Sequence, residues 1–342
     1  MYAMPSLIFI KRVGITIRKT FTSIEIDILF RAWKNIVLIR ETEKLIAAGS
    51  KRGDFRTPIH LGIGQESVAT TISEIVQQGD LVFGNHRSHA HFLALGGSPY
   101  ALFSEVLGKE SGCSGGRGGS MHIASPQNGF VGSMPIVGGT IPIAAGAAMQ
   151  LKRSGSNLIA VVFFGDGATE EGVFHETLNI ASKFELPILF VCENNLFSSH
   201  LHIDERQSSR NLSRFAEPHQ IENSKLDGHD YLVDLNLTQK AVEVVRQGRP
   251  YFLEFLTYRW MGHVGHFEDL EIGKDRVKDL KDWRDKDPLK KIRKILVENG
   301  FITHEALDNL ELETNIDVQD SYKKALEANW PLDIYKFEIG MQ

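Results

Sequence analysis

A chain of 342 residues has ample length for a buried core, arranged as one large α/β domain or two smaller ones. Its 42% hydrophobic and 24% charged content is that of a soluble globular protein, and a net charge of −5 argues against a nucleic-acid binder. Two cysteines far apart, Cys113 and Cys192, form no disulfide framework, and no apolar run reaches the roughly 18 residues of a membrane span, so a cytosolic enzyme is expected.

Before Glu25 there is no acid, while Lys11, Arg12, Arg18 and Lys19 stand among apolar residues. Residues 1–23 therefore read as a ragged bacterial N-terminus or a mis-assigned start, or as a mitochondrial presequence, the last placing the protein in the mitochondrial matrix. Leu29, Ala32, Trp33, Ile36 and Val37 then recur at helical spacing and predict an amphipathic helix over 24–48. Arg56 to Gln65 is a loop leading into a second helix over 66–77. Three histidines follow in six residues, His86, His89 and His91. A strand would put His89 and His91 on one face, a helix His86 and His89, but neither joins all three, which argues against zinc.

Residues 112–119, GCSGGRGG, are too glycine-dense for a helix, and no glycine pair in the chain has the third glycine of a dinucleotide fingerprint. There is no P-loop, and His175-Glu176 lacks the second histidine of a zincin because Asn179 stands there. Small residues Ala144 to Ala148 mark a helix over 142–149, either a subunit interface or core packing.

The densest signal runs from Leu158 to Phe197. Two short apolar runs, 158–164 and 188–191, read as strands buried on both faces. Between them Val173, Phe174, Leu178 and Ala181 have helical spacing, and Pro187 stops the segment. Strand, helix and strand within about thirty residues make a βαβ unit, so the strands are parallel and their C-terminal ends share one edge. Asp166, in Gly165-Asp166-Gly167, and Asn194-Asn195 are thereby delivered to the crevice where open α/β sheets bind ligands. A carboxylate and an amide oxygen, with a backbone carbonyl near Phe197, suit Mg²⁺, which takes its remaining oxygens from phosphate and water. Gly165 and Gly167 allow a sharp turn and close approach to a phosphate, and the helix that follows aims its N-terminus at the same spot. The plainer alternative is a pair of turns with Asp166 capping the helix.

Beyond this unit, 206–219 reads as an irregular surface loop, 226–230 as a turn, 238–247 as a helix and 251–258 as an aromatic-rich strand. From Lys274 the chain is charged, with helices expected from Asp287-Pro288, over 303–313 and over 320–328.

Gly165-Asp166-Gly167, a 26-residue interval and Asn194-Asn195 resemble the thiamine diphosphate motif. GKESGCSGGRGGSMH (108–122), PIVGGTIPIAAGAA (135–148), FFGDGATEEGVFHETLNIA (163–181) and TYRWMGH (257–263) resemble the α subunit of the 2-oxo acid dehydrogenase E1 component, over roughly Leu29 to Asn299. That family includes the pyruvate, branched-chain and acetoin dehydrogenase α chains.

The resemblance implies an α/β fold with a mainly parallel sheet flanked by helices: a thiamine diphosphate-binding domain over 24–270 and a charged helical segment, 271–342, packed on it. It implies thiamine diphosphate and Mg²⁺ as cofactors, with Asp166, Asn195 and Phe197 on the metal. Arg87 reaches the diphosphate beside Gly165, Asp166, Gly167 and Ala168. Backbone groups at Ser133, Pro135 or Val137 meet the aminopyrimidine ring. His89 lies at the active-site mouth, and His263 holds the diphosphate and moves protons from a mobile loop. The implied partners are an E1 β subunit in an α₂β₂ heterotetramer, a lipoyl-bearing E2 acyltransferase and a small 2-oxo acid or acetoin. A non-catalytic scaffold that keeps the fold is the alternative from another class. Where regulated relatives carry a serine beside the histidine, this chain has Val264, so no phosphorylation switch is expected there. The usual S-D-P continuation is replaced by His266-Phe267-Glu268-Asp269, and His86 stands where a tyrosine is common.

Overall fold

The computed structural model describes residues 4–9, 16–228, 230–270 and 276–332. Lys11, Arg12, His229 and Lys274, on which parts of the presequence, turn and C-terminal expectations rest, lie outside the described residues.

An antiparallel ribbon of β1 (Met4–Phe9) and β2 (Thr16–Phe21) precedes the long helix α1 (Ser23–Arg52). Thr22 starts α1 with a reciprocal cap: its Oγ1 accepts from the Glu25 N–H at 3.1 Å, and the Glu25 carboxylate accepts from the Thr22 N–H at 2.8 Å. Gly53 ends it in the left-handed conformation, φ 81°, which glycine adopts without a Cβ clash. Then come α2 (Glu66–Ser73), β3 (Leu81–Gly84), α3 (His89–Ala94), α4 (Pro99–Leu107) and β4 (Phe130–Ser133). The central unit is α5 (Thr140–Arg153), β5 (Ala160–Gly165), α6 (Gly172–Lys183) and β6 (Ile188–Asn194). A small hairpin of β7 (Phe197–Ser198) and β8 (Leu201–His202) runs into α7 (Ile203–Arg206). The chain continues through β9 (Glu222–Leu226), α8 (Tyr231–Arg246), β10 (Tyr251–Leu256), α9 (Arg276–Asp285), α10 (Pro288–Glu298) and α11 (His304–Glu327).

Six of these strands form one sheet in the order β4-β3-β5-β6-β10-β9, every pair parallel. The alternation of strand side chains explains why β5 and β6 are apolar at nearly every position. Val161, Phe163, Leu189 and Val191 join one core cluster with α1, α2 and α8. Val162, Phe164, Ile188 and Phe190 join a second cluster with α5 and α6 on the opposite face. Ala144, Ala145 and Ala148 are buried in that second cluster, so the small residues of α5 serve core packing, while Gly146 on the same helix is exposed. Cys192 is fully buried there, its thiol pushed well up by burial.

After β3 the chain steps outward to β4, then returns to start β5 on the other side of β3. The C-terminal ends of β3 and β5 thus flank the topological switch point, where such sheets form their ligand crevice.

The last two helices, α10 and α11, belong to the α1 side, where Ile292, Leu296, Leu307, Val318 and Tyr322 share its core cluster, whereas Leu280 of α9 packs in the second cluster on the opposite face. Where two helices were expected over 303–313 and 320–328, one runs unbroken, because Leu307, Leu310, Thr314 and Val318 keep a buried or half-buried stripe across the polar middle. Arg40 of α1 fastens this side internally. Its Nη2 donates to Glu66 at 2.9 Å and its Nη1 to Asp287, the N-cap of α10, at 2.6 Å. Among the described residues no helix is long and apolar enough to cross a membrane.

Candidate active site

The ends of β5 and β6 deliver their polar residues side by side. Asp166 follows β5 directly and is 1% exposed; Asn195 follows β6 and is 7% exposed. The Asn195 amide donates to Gln65 Oε1 at 3.0 Å, and its Oδ1 accepts from the Phe197 N–H at 3.1 Å. With its nitrogen tied back to Gln65, the amide has an oxygen lone pair left over. Leu196, between them, adopts φ 70°, a left-handed conformation that turns the chain into the β7–β8 hairpin.

These residues wall a cleft open to solvent, with about 990 Å³ free of atoms when the solvent at its opening is included. Gly165, Asp166, Gly167 and Ala168 form one side, with Asn195 and Phe197 beside them. Pro135 and Val137, from the loop after β4, lie on another side. Arg87 and His263 close it, with His60 and His86. The Arg87 guanidinium donates to the Leu61 carbonyl at 2.6 Å and to the His263 carbonyl at 3.2 Å, so one cation holds two loops on the cleft wall.

The rings of His60, His86 and His263 meet edge to face, with centroids 5.0, 5.2 and 5.7 Å apart. Burial, reinforced by the positive charge of Arg87, lowers His60 to about 3, His86 to about 2 and His263 to about 4. All three are therefore neutral at pH 7. Burial likewise lowers Arg87 to about 10 and, with Arg87 adding repulsion, Arg259 to about 9. Burial pushes Asp166 above the ordinary carboxylate range, against the pull of Arg206. Perturbed titratable groups converging on one cleft mark it as the candidate functional site.

Several expectations need correction. His89 is not at the mouth: it is fully buried in α3, its Nδ1 3.1 Å from Glu43 Oε1 and its Nε2 2.9 Å from Ser120 Oγ. His91 stacks on Phe163 at 3.8 Å and faces Glu193 and Ser88, so the three clustered histidines go to three different neighbourhoods. Ser133 lies off the wall, because its N–H donates to the Ile123 carbonyl at 3.0 Å and its Oγ to the Met121 carbonyl at 2.8 Å. The glycines of Gly165-Asp166-Gly167 make no left-handed turn: Gly165 is extended, φ −83°, and Gly167 is also outside that region. They act by lacking a Cβ. One at Gly165 would meet no protein atom and so project into open space, while one at Gly167 would come within 2.4 Å of Ser198 Oγ. The helix N-terminus does not point straight at this turn, since a 3-10 turn, Asp166–Glu170, intervenes before α6. Nor is 206–219 merely a surface loop. The Arg206 side chain is 6% exposed, and the Leu212 and Ser213 N–H groups each donate to buried Glu254 at 2.8 Å. On the loop after His263, His266 faces Ser50 of α1 at 3.3 Å, away from the cleft.

Four wall residues or neighbours carried no role in the sequence: His60, Gln65, Arg206 and Arg259. His60 and Gln65 lie in a stretch, His60-Leu61 to Gln65-Glu66, whose likeness to the family was visible without a function attached. Arg259 likewise lies in the family-like stretch TYRWMGH (257–263), without a role attached, while Arg206 had no such signal.

The donor set fits a metal-bound diphosphate. Asp166 and Asn195 supply hard oxygens and Gly165 leaves space where a Cβ would stand. Among the described residues the buried His60 Nδ1, on the cleft wall, and the Arg259 Nε and Nη1, behind it, have no hydrogen-bond partner; an anion reaching His60 offsets this when its proton sits on Nδ1.

The chain matches the family model described as dehydrogenase E1 component over residues 34–332. It is 34% identical over 307 residues to the pyruvate dehydrogenase E1 component subunit alpha of Porphyra purpurea, covering 87% of this chain and 88% of that one. The Rickettsia felis protein of the same name is 33% identical over 303 residues, with coverage of 88% and 91%. The mitochondrial alpha-1 subunit of Arabidopsis thaliana is 30% identical over 302 residues, covering 87% of this chain and 76% of that one. With nearly the whole fold matched and the cleft at the strand ends, this chain belongs to the dehydrogenase E1 component family.

Proposed function

We propose that this chain is the α subunit of a pyruvate dehydrogenase E1-type enzyme that binds thiamine diphosphate with Mg²⁺ and carries out oxidative decarboxylation with acyl transfer to a lipoyl acceptor. The observation that carries the reading is the delivery of Asp166 and Asn195, by adjacent parallel strands, to a cleft faced by buried Arg87. The names of the relatives favour pyruvate as the substrate.

In this reading the Asp166 carboxylate, the Asn195 Oδ1 and the Phe197 carbonyl hold Mg²⁺. Gly165, Gly167 and Ala168 let the diphosphate lie against backbone, and Arg87 and His263 supply donors to it. Backbone groups at Pro135 and Val137, with Ser133 behind them, flank the aminopyrimidine. When bound, thiamine diphosphate supplies the nucleophilic carbon and the electron sink for loss of CO₂. His263 is neutral at pH 7 and offers an unprotonated ring nitrogen at the cleft, but burial and Arg87 make it a weak base there, so any proton it takes needs the negative charge of a bound ligand beside it. His89 touches no cleft atom; joined to Glu43 and Ser120 it is a positioning residue for the wall. Among the described residues a single six-stranded parallel sheet carries the cleft, and the family resemblance has the acid for the aminopyrimidine come from a separate β subunit, which motivates an α₂β₂ assembly with a β subunit and an E2 partner. The setting is the cytoplasm, or the mitochondrial matrix if residues 1–23 are a presequence.

Acetoin cleavage is the second reading, and the HVGHFED loop, with exposed Val264 and Phe267 where relatives continue with polar residues, allows a less usual substrate. The test is turnover of the chain co-expressed with a β subunit, with an artificial electron acceptor, across pyruvate, branched-chain 2-oxo acids and acetoin. Cofactor-dependent turnover of pyruvate is expected; preference for acetoin selects the second reading. Activity unchanged in Asp166→Ala would mean a scaffold, and full turnover by the single chain would exclude the two-subunit assembly.

A further inference from the structure

Arg206 ends α7, a short helix fixed by His202, whose Nδ1 accepts from the Asp204 N–H at 3.2 Å while the Glu205 carboxylate accepts from the His202 N–H at 3.2 Å. From that anchored position the side chain turns inward, to 6% exposure, and all three guanidinium nitrogens are used. Nε donates to the Leu201 carbonyl at 3.1 Å, Nη1 to Glu170 and Nη2 to Asp166 Oδ2. Leu201 lies in the hairpin that continues from Asn195 and Phe197; Asp166 and Glu170 bound the turn after β5. One planar group therefore stitches together the two chain segments that carry the oxygen donors.

Resting on the Mg²⁺–diphosphate reading of this cleft, the geometry points to Arg206 as a positioning residue for the cation. By taking Oδ2 it fixes the Asp166 carboxylate in one rotation and leaves Oδ1 for the metal. Its positive charge does not cancel the site, because Asp166 and Glu170 together contribute two negative charges and the trio keeps a net −1. For this role the fixed Asp166 carboxylate must gain more than the guanidinium's repulsion of a divalent ion costs, and the affinity of the variant decides between the two.

The experiment is Mn²⁺ binding, followed by electron paramagnetic resonance, to the full chain assembled with its β subunit in the presence of thiamine diphosphate. Arg206→Gln is expected to weaken Mn²⁺ binding by about 10- to 100-fold, with Arg206→Lys in between and turnover restored by excess Mn²⁺. Mn²⁺ affinity in Arg206→Gln equal to or tighter than the parent's overturns the assignment, as does lost activity that excess Mn²⁺ fails to restore while affinity is unchanged. If Arg206→Gln does not assemble, Glu170→Gln decides: it removes the neutralising carboxylate, so weaker Mn²⁺ binding is expected and unchanged binding is contrary. A parent enzyme that binds no Mn²⁺ overturns the underlying cleft reading and this one with it, whereas parental binding matched by the variant overturns this one alone.

Discussion

The Asn195 side-chain amide donates to Gln65 Oε1 at 3.0 Å, across 130 residues of sequence. This bond joins the end of β6 to the residue that starts α2, and it sets which face of the amide the cleft sees. Gln65→Ala leaves the Asn195 nitrogen without its partner and the amide free to rotate. The Mg²⁺ concentration for half-maximal activity is expected to rise by about tenfold or more, with turnover at saturating Mg²⁺ close to the parent's. An unchanged Mg²⁺ titration would remove Gln65 from the account.

The two glycines flanking Asp166 are expected to separate under substitution. Gly165→Ala places a methyl in open space, so thermal stability holds while thiamine diphosphate binding weakens. Gly167→Ala presses on Ser198 Oγ and Cβ, at 2.4 and 2.9 Å, and lowers both stability and binding. Adding Ser198→Gly to Gly167→Ala is expected to recover stability. Melting curves of the three variants, with and without cofactor, check the pattern.

The histidine cluster makes the fold sensitive to acid. His60, His86 and His263 are lowered in the folded chain to about 3, 2 and 4, so below their unfolded value near 6.5 the unfolded chain binds more protons. Above about pH 6.5 they contribute nothing to the pH dependence; stability then falls as pH drops from 6.5 toward 4. His86→Phe removes one of the three and is expected to flatten the melting-temperature profile in that window. A profile parallel to the parent's would contradict the shift assigned to His86.

Arg40 neutralises two buried acids at once, Glu66 and Asp287. Arg40→Met strands both carboxylates and is expected to destabilise the chain by about 3–5 kcal/mol. Urea denaturation of the parent and variant measures the difference. A loss below about 1 kcal/mol, the scale of an exposed pair, would mean that water reaches these acids.

The parts of this architecture that could be read in advance are those whose physics is local. The apolar runs of β5 and β6 announce strands covered on both faces, and the residues just past them follow from the direction of a parallel pair. By contrast β3 and β4 have four residues each, too short for a pattern, and β9, Glu222–Leu226, is a polar edge strand. The helix α6, Gly172–Lys183, is legible in the sequence because Val173, Phe174, Leu178 and Ala181 recur at helical spacing before Pro187. Arg206 sat in a polar stretch that resembles any surface loop, and only its contact with Asp166 across 40 residues reveals it. The neutral cluster of His60, His86 and His263 draws on three separate loops, so no spacing in the chain encodes it.

The most direct measurement is thiamine diphosphate binding, by calorimetry, to this chain assembled with its β subunit, with and without Mg²⁺, for the parent and Asp166→Ala. The account predicts tight binding that requires Mg²⁺ in the parent and is lost in Asp166→Ala. Binding of equal strength in the variant, or binding indifferent to Mg²⁺, would contradict it.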